Sequence, residues 1–126
     1  MERTLVIIKP CAVQRGLIGE VLSRFERRGL KLVAMKMTRL DAEICRRHYA
    51  HLADKPFYPI IEESMTAAPV VLCCMEGIDA VEVVRTMAGA TNGRKALPGT
   101  IRGDYCVSHQ ENIIHITGQL GEQFFT

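Results

Sequence analysis

Two short segments constrain this chain more than any other part of it. Residues 4–9 (TLVIIK), bounded by Pro10, and residues 69–75 (PVVLCCM) are apolar almost throughout. Each reads as a strand buried in a sheet. Between them, Ile18, Val21, Leu22 and Phe25 recur at helical spacing, and Arg27-Arg28-Gly29 is a good helix ending. Residues 30–40 read as a second strand, with Leu30, Leu32 and Ala34 alternating against Lys31, Val33 and Met35. Asp41 is placed to N-cap a helix reaching about residue 52, and Pro59 to open a short helix reaching about residue 66. Asp79, with Glu82 three residues on, reads as the capped start of a helix striped by Ala80, Val83, Val84, Met87 and Ala88. Residues 89–112 form a long Gly/Pro/Asn stretch with little periodicity, the mark of a functional or disordered loop. Residues 113–117 then supply a fourth strand. The order β-α-β-(α-α)-β-α-β predicts a split βαβ arrangement, with one face of a four-stranded antiparallel sheet under helices.

A chain of 126 residues has room for one core, so residues 1–126 read as a single domain. No apolar run approaches the ~20 residues that span a bilayer. The amino terminus leads into a strand rather than the long apolar core of a signal peptide. Sixteen basic against 14 acidic residues is too even a balance for a general polyanion binder, and no nucleic-acid partner is expected. Cys11, Cys45, Cys73, Cys74 and Cys106 are odd in number and contain no CxxC pair. That pattern fits reduced thiols in the cytoplasm. A split βαβ sheet also frames RNA-binding modules, which set exposed aromatics on the central strands. TLVIIK and PVVLCCM carry none.

The chemistry lies in the second half of the chain. There is no GxxxxGK[ST] and no pair of glycines two apart, which removes the P-loop and the dinucleotide turn. Arg85, Arg94, Lys95 and Arg102 instead gather basic groups at the long loop, and a guanidinium fork matches phosphate oxygens. His115 lies between Ile114 and Ile116, sharing a strand face with Ile113 and Thr117. Beside a phosphate-binding loop, a neutral imidazole is a competent nucleophile. His48 and His51, three apart on a helix, have no clear third metal ligand and read as solvated helix residues.

In combination, several stretches resemble nucleoside diphosphate kinase. They are Arg3 to Pro10 (RTLVIIKP), Gln14 to Glu20 (QRGLIGE), His48-Tyr49-Ala50, Lys55-Pro56-Phe57 and Ala80 to Arg85 (AVEVVR). Gly89-Ala90-Thr91-Asn92, Pro98 to Asp104 (PGTIRGD) and Asn112-Ile113-Ile114-His115 complete the set, which covers residues 1–115 in the family's order and spacing. The resemblance implies a ferredoxin-like βαββαβ fold and an enzyme that moves the γ-phosphoryl group of a nucleoside triphosphate to a nucleoside diphosphate. It implies that His115 carries the group as a phosphohistidine on Nδ1 in a ping-pong cycle. By position, Lys9 contacts the sugar 3′-hydroxyl and the transferred group with Tyr49 nearby, and Arg85, Thr91 and Arg102 hold phosphates. Asn112 binds ribose hydroxyls, and Phe57 stacks on the base. Mg²⁺ rides on the nucleotide phosphates, with no protein ligand for it, and the chain assembles as a homo-oligomer, a hexamer or a tetramer.

After His115 the text departs from the family. Ile116 is bulky where Gly or Ala is usual, Thr117 stands in for a serine, and Glu122 does not align cleanly with the glutamate that orients the histidine. Thr117 and Glu122 are the candidates for that orienting role. The departure implies slower phosphotransfer with fold and nucleotide binding kept. The alternative reading is a catalytically weakened family member that serves as a nucleotide-binding or oligomeric scaffold.

Overall fold

The computed structural model of the chain describes residues 1–106, 108 and 111–117. Its strands are β1 (Glu2–Ile8), β2 (Lys31–Thr38), β3 (Val70–Gly77) and β4 (Ile114–Ile116). They form one antiparallel sheet in the order β2-β3-β1-β4. The helices are α1 (Pro10–Gln14), α2 (Ile18–Arg27), α3 (Ala42–His48), α4 (Tyr58–Thr66), α5 (Ala80–Ala88) and α6 (Ile101–Tyr105), with 3₁₀ turns at Ala50–Leu52 and Gly93–Lys95. This is the α+β ferredoxin-like arrangement expected from the order of elements.

The expectation of helices on one face needs correction. Val6, Ile8, Val71, Cys73 and Met75 point to one side of the central strands and pack with Val21 and Phe25 of α2 and Val84 and Ala88 of α5. Leu5, Ile7, Val70 and Leu72 point to the other side and pack with Cys45, Tyr49, Tyr58 and Met65 around α3 and α4. Both faces are covered because β1 and β3 are apolar at consecutive positions rather than alternate ones. The unbroken apolar runs in TLVIIK and PVVLCCM already carry this message.

Local chemistry explains the remaining differences. Asp41 caps α3 as expected, its Oδ1 accepting the Ile44 N–H at 2.8 Å. Asp79 does not cap α5: it sits in the left-handed region at φ 53° and makes no side-chain cap bond. Glu2 takes over from a distance, its Oε1 accepting the Val81 N–H at 2.7 Å. Residues 89–112 are not a structureless loop, since they hold the second 3₁₀ turn and α6. Elements of three and five residues are too short to show a helical period. α1 was also unforeseen, although Pro10 at its first turn is where a missing N–H does no harm.

These caps can be ranked by urea denaturation. Asp41→Ala should cost about 1 kcal/mol. Asp79→Gly should be neutral or stabilising, because glycine occupies the left-handed region without strain. Equal destabilisation by both would restore Asp79 as a cap.

Candidate active site

The site is assembled where β1 ends and β4 begins. The two strands pair Ile7 with His115, which sets His115 on the face covered by α3 and α4. Lys9 follows β1 directly as the N-cap of α1, and its N–H donates to the Ile113 carbonyl at 2.9 Å. Ile113 is not a strand residue and does not share the histidine's face, as the alternation predicted. It is the centre of a γ-turn with φ 74°, closed by the Ile114 N–H donating to the Asn112 carbonyl at 2.8 Å. A β-branched residue at positive φ is strained and persists only where its surroundings hold it. Ile113 is fully buried in the α2–α5 core. The turn reverses the register, so Asn112 and His115 reach the same space.

A small polar network fixes that space. Lys9 Nζ donates to Asn112 Oδ1 at 2.9 Å, and Asn112 Nδ2 donates to the Thr91 carbonyl at 2.9 Å. Arg102 lies on α6 and is 7% exposed. Its Nε, Nη1 and Nη2 donate to the carbonyls of Asn112, Gly89 and Ile114 at 3.2, 3.0 and 2.8 Å. Backbone carbonyls thus take three of the five N–H groups of its guanidinium, and the side chain also lines a cavity. Gly89, at φ 84°, lets its backbone come this close, since a Cβ there would collide with the Thr100 side chain.

Around this network lies a cavity of about 520 Å³. Lys9, Arg85 and Arg102 give it three cations, and Thr91 and Asn112 line it beside them. Tyr49, Phe57 and His115 contribute rings, and among the described residues no carboxylate lines it. All eight residues singled out for catalysis or substrate binding therefore meet at one cavity. Arg94 and Lys95 do not join them; they sit exposed on the 3₁₀ turn. Thr117 follows β4, with its N–H donating to the Leu5 carbonyl at 3.2 Å. Glu122 lies outside the described residues.

Sequence reasoning missed the apolar wall, which is Leu52, Ile61, Met65 and Ile116 with Ser64 among them. It also misplaced His48. That residue is not a solvated helix side chain: its ring meets His115 edge-on at 5.0 Å between centroids and Tyr49 at 4.7 Å. Tyr49 and His115 close the triangle at 5.2 Å. α3 stops at His48 instead of running on to residue 52, which sets His48 at the helix end beside His115 and Tyr49. The neighbouring Tyr49 was the available signal. His51 is exposed, as expected.

Burial pushes the His115 imidazole down to about 3, helped by His48 and by the positive Lys9 and Arg102. Burial lowers Lys9 and Arg102 as well, and His48 in the same direction. His115 is thus a neutral imidazole at physiological pH. Because the unfolded ring titrates near 6.5, its contribution to stability is complete above that pH and is lost as pH falls toward the folded value. In nucleotide-free protein, the His115 ring resonances should show no titration between about pH 5 and 8. His115→Asn should lose less stability than the parent on acidification through that range. An inflection near 6.5 would show an imidazole open to water.

A family model described as nucleoside diphosphate kinase matches residues 2–122. The nucleoside diphosphate kinase of Parabacteroides distasonis is 63% identical over 115 residues, which are 91% of this chain and 75% of that protein. The Thermus thermophilus enzyme is 50% identical, over 91% of this chain and 84% of its own. Among solved structures, a halophilic nucleoside diphosphate kinase from Halobacterium salinarum in complex with CDP superposes with a TM-score of 0.91 at 46% identity. That match covers 92% of this chain and 76% of the other. The apo enzyme of Encephalitozoon cuniculi gives 0.93 at 41% identity, over 99% and 86%. The chain belongs to the nucleoside diphosphate kinase family and is an enzyme of nucleotide phosphate transfer.

Proposed function

We propose that this enzyme passes the γ-phosphoryl group of a Mg²⁺-nucleoside triphosphate to a nucleoside diphosphate, in two half-reactions through a phosphohistidine on His115. The observation that carries this reading is His115 in one cavity with Lys9, Arg85 and Arg102, where burial, Lys9 and Arg102 favour its neutral form. In the first half-reaction a ring nitrogen, Nδ1 on the family pattern, attacks the γ-phosphorus. The bond to the β-phosphate oxygen breaks, and the nucleoside diphosphate leaves. In the second, a β-phosphate oxygen of the incoming diphosphate attacks the same phosphorus, and the N–P bond breaks. The transferring group carries its charge on three oxygens, so positioned cations supply most of the catalysis.

Arg85, Thr91 and Arg102 would hold the phosphates, Lys9 the transferred group and the 3′-hydroxyl with Tyr49 nearby, and Asn112 the ribose hydroxyls. Phe57, 44% exposed at the cavity mouth, would stack on the base. Mg²⁺ would enter as part of the substrate, because a cationic cavity with no lining carboxylate among the described residues suits phosphate-borne metal better than a protein cage. Thr117 and Glu122 would orient the histidine from its far side. The CDP bound by the Halobacterium relative supports a nucleotide as ligand. A cytoplasmic setting suits the five unpaired thiols, and no helix among the described residues is long and apolar enough to cross a membrane.

We further propose that residues 1–126 work as one domain within a homo-oligomer, a hexamer or a tetramer. β2 is an edge strand that exposes Met35 and Met37. Open edges with apolar side chains invite pairing.

Incubation with γ-labelled Mg·ATP should give an acid-labile, alkali-stable adduct that discharges onto added diphosphate, and His115→Ala should abolish it. Equal labelling of the variant would move the nucleophile elsewhere. Stacking worth roughly 1–3 kcal/mol on any base predicts that purine and pyrimidine nucleotides are all used. Preference for one base beyond about a thousandfold, roughly 4 kcal/mol, would reveal base-edge readout. Light scattering should find a multiple of the 14.1 kDa chain, and a stable active monomer would reject assembly.

A further inference from the structure

Arg102 can reach phosphate only if α6 is held in place, and α6 cannot hold itself. It is five residues long, little more than one turn, and isolated helices of that length are not stable in water. Its inner side is tied by Ile101 in the core and by the bonds of Arg102 itself. Its outer side is tied by Arg24 of α2. Arg24 Nη2 lies 2.6 Å from Asp104 Oδ2 and 3.3 Å from the Tyr105 hydroxyl, while Nη1 lies 3.4 Å from the Gly99 carbonyl. The guanidinium carbon sits 5.0 Å over the Tyr105 ring, and Glu20 steadies Nε at 3.4 Å. Asp104 in turn accepts the Gly99 N–H at 2.8 Å. One side chain therefore grips the turn before α6, its body and its last residue. The Arg24 and Asp104 side chains are 22% and 28% exposed, more shielded than the surface pairs that contribute little.

We propose that Arg24, which does not line the cavity, is a positioning residue for nucleotide binding that acts through Arg102. It sets α6 from the side opposite the substrate, so that the guanidinium of Arg102 meets phosphate oxygens. The inference rests on the nucleotide reading of the cavity. Hydrogen bonds of this kind weaken steeply with small displacements, and a misplacement of about 1 Å can cost about 10²-fold. Arg24→Lys keeps the charge but cannot reproduce a planar fork over three partners.

The test is a double-mutant cycle read by calorimetric affinity for Mg·ADP, which needs no turnover. Arg24→Ala and Arg24→Lys should each weaken binding about tenfold to about 10²-fold. In an Arg102→Ala background, Arg24→Ala should add less than about twofold, because coupled residues are non-additive. In a Phe57→Ala background, with Arg102 intact, the full Arg24 effect should return. Additive losses in the Arg102→Ala background, or unchanged affinity in Arg24→Ala, would overturn the inference. If Arg24→Ala does not fold, Asp104→Asn, which removes the charge of the partner, enters the same cycle under the same criteria. A parent that binds Mg·ADP but forms no phosphohistidine overturns only the proposed mechanism. A parent that binds no nucleotide overturns both.

Discussion

The buried guanidinium of Arg102 is the point on which the rest of the site depends. A charge taken out of water is costly unless hydrogen bonds compensate it. Here three carbonyls do so, from the end of α5, from the γ-turn and from β4. The γ-turn bond between Asn112 and Ile114, and the bond from Asn112 to the Thr91 carbonyl, tie the same segments beside the guanidinium. Gly89 begins the long connection, Asn112 ends it, and Ile114 opens the last strand. The same contacts that satisfy the charge therefore hold Gly89 and Asn112, the two ends of the connection, close together. Lys9 then reaches Asn112 and ties the first strand to the same point.

Strain enters at Ile113, and the core holds it. Positive φ at an isoleucine would relax in an exposed loop. Full burial of that side chain between α2 and α5 leaves no route to do so without opening the apolar cluster. Packing on one face of the sheet thus fixes the direction of His115, which emerges on the other. The α3–α4 face then supplies the rings against which His115 rests, His48 and Tyr49.

The two apolar segments made the sheet legible, and helical spacing at residues 18–25 and 80–88 made α2 and α5 legible. Asp41 worked as a local signal because its capping bond is made three residues away. Asp79 failed because the deciding group, Glu2, is 79 positions from the N–H that it caps. α1 and α6 are shorter than two helical turns and leave no period to read. Within the site, residue type beside the long loop picked out His115, Arg85 and Arg102. It also picked out Arg94 and Lys95, which the cavity does not include, while Lys9, Tyr49, Phe57, Thr91 and Asn112 came from the family resemblance. His48 could not be picked out, because its place against His115 depends on where α3 stops and on a sheet face that was expected to be bare.

The cations of the cavity have two effects that would conflict in most enzymes. Lys9 and Arg102 oppose a proton on His115, and burial adds to that opposition. They also favour any group that brings negative charge. A nucleophile must be unprotonated to attack phosphorus, and its product must carry an anionic phosphoryl group. A positive, poorly hydrated cavity favours both conditions and disfavours the unproductive imidazolium. A carboxylate beside the attacking nitrogen would favour the imidazolium and repel the phosphoryl oxygens, and so work against this. An orienting acid therefore helps only if it holds the ring from the far nitrogen while the cations dominate the attacking side. Burial, His48, Lys9 and Arg102 all lower the His115 imidazole, which leaves room for a far-side acid to raise it without protonating it near pH 7.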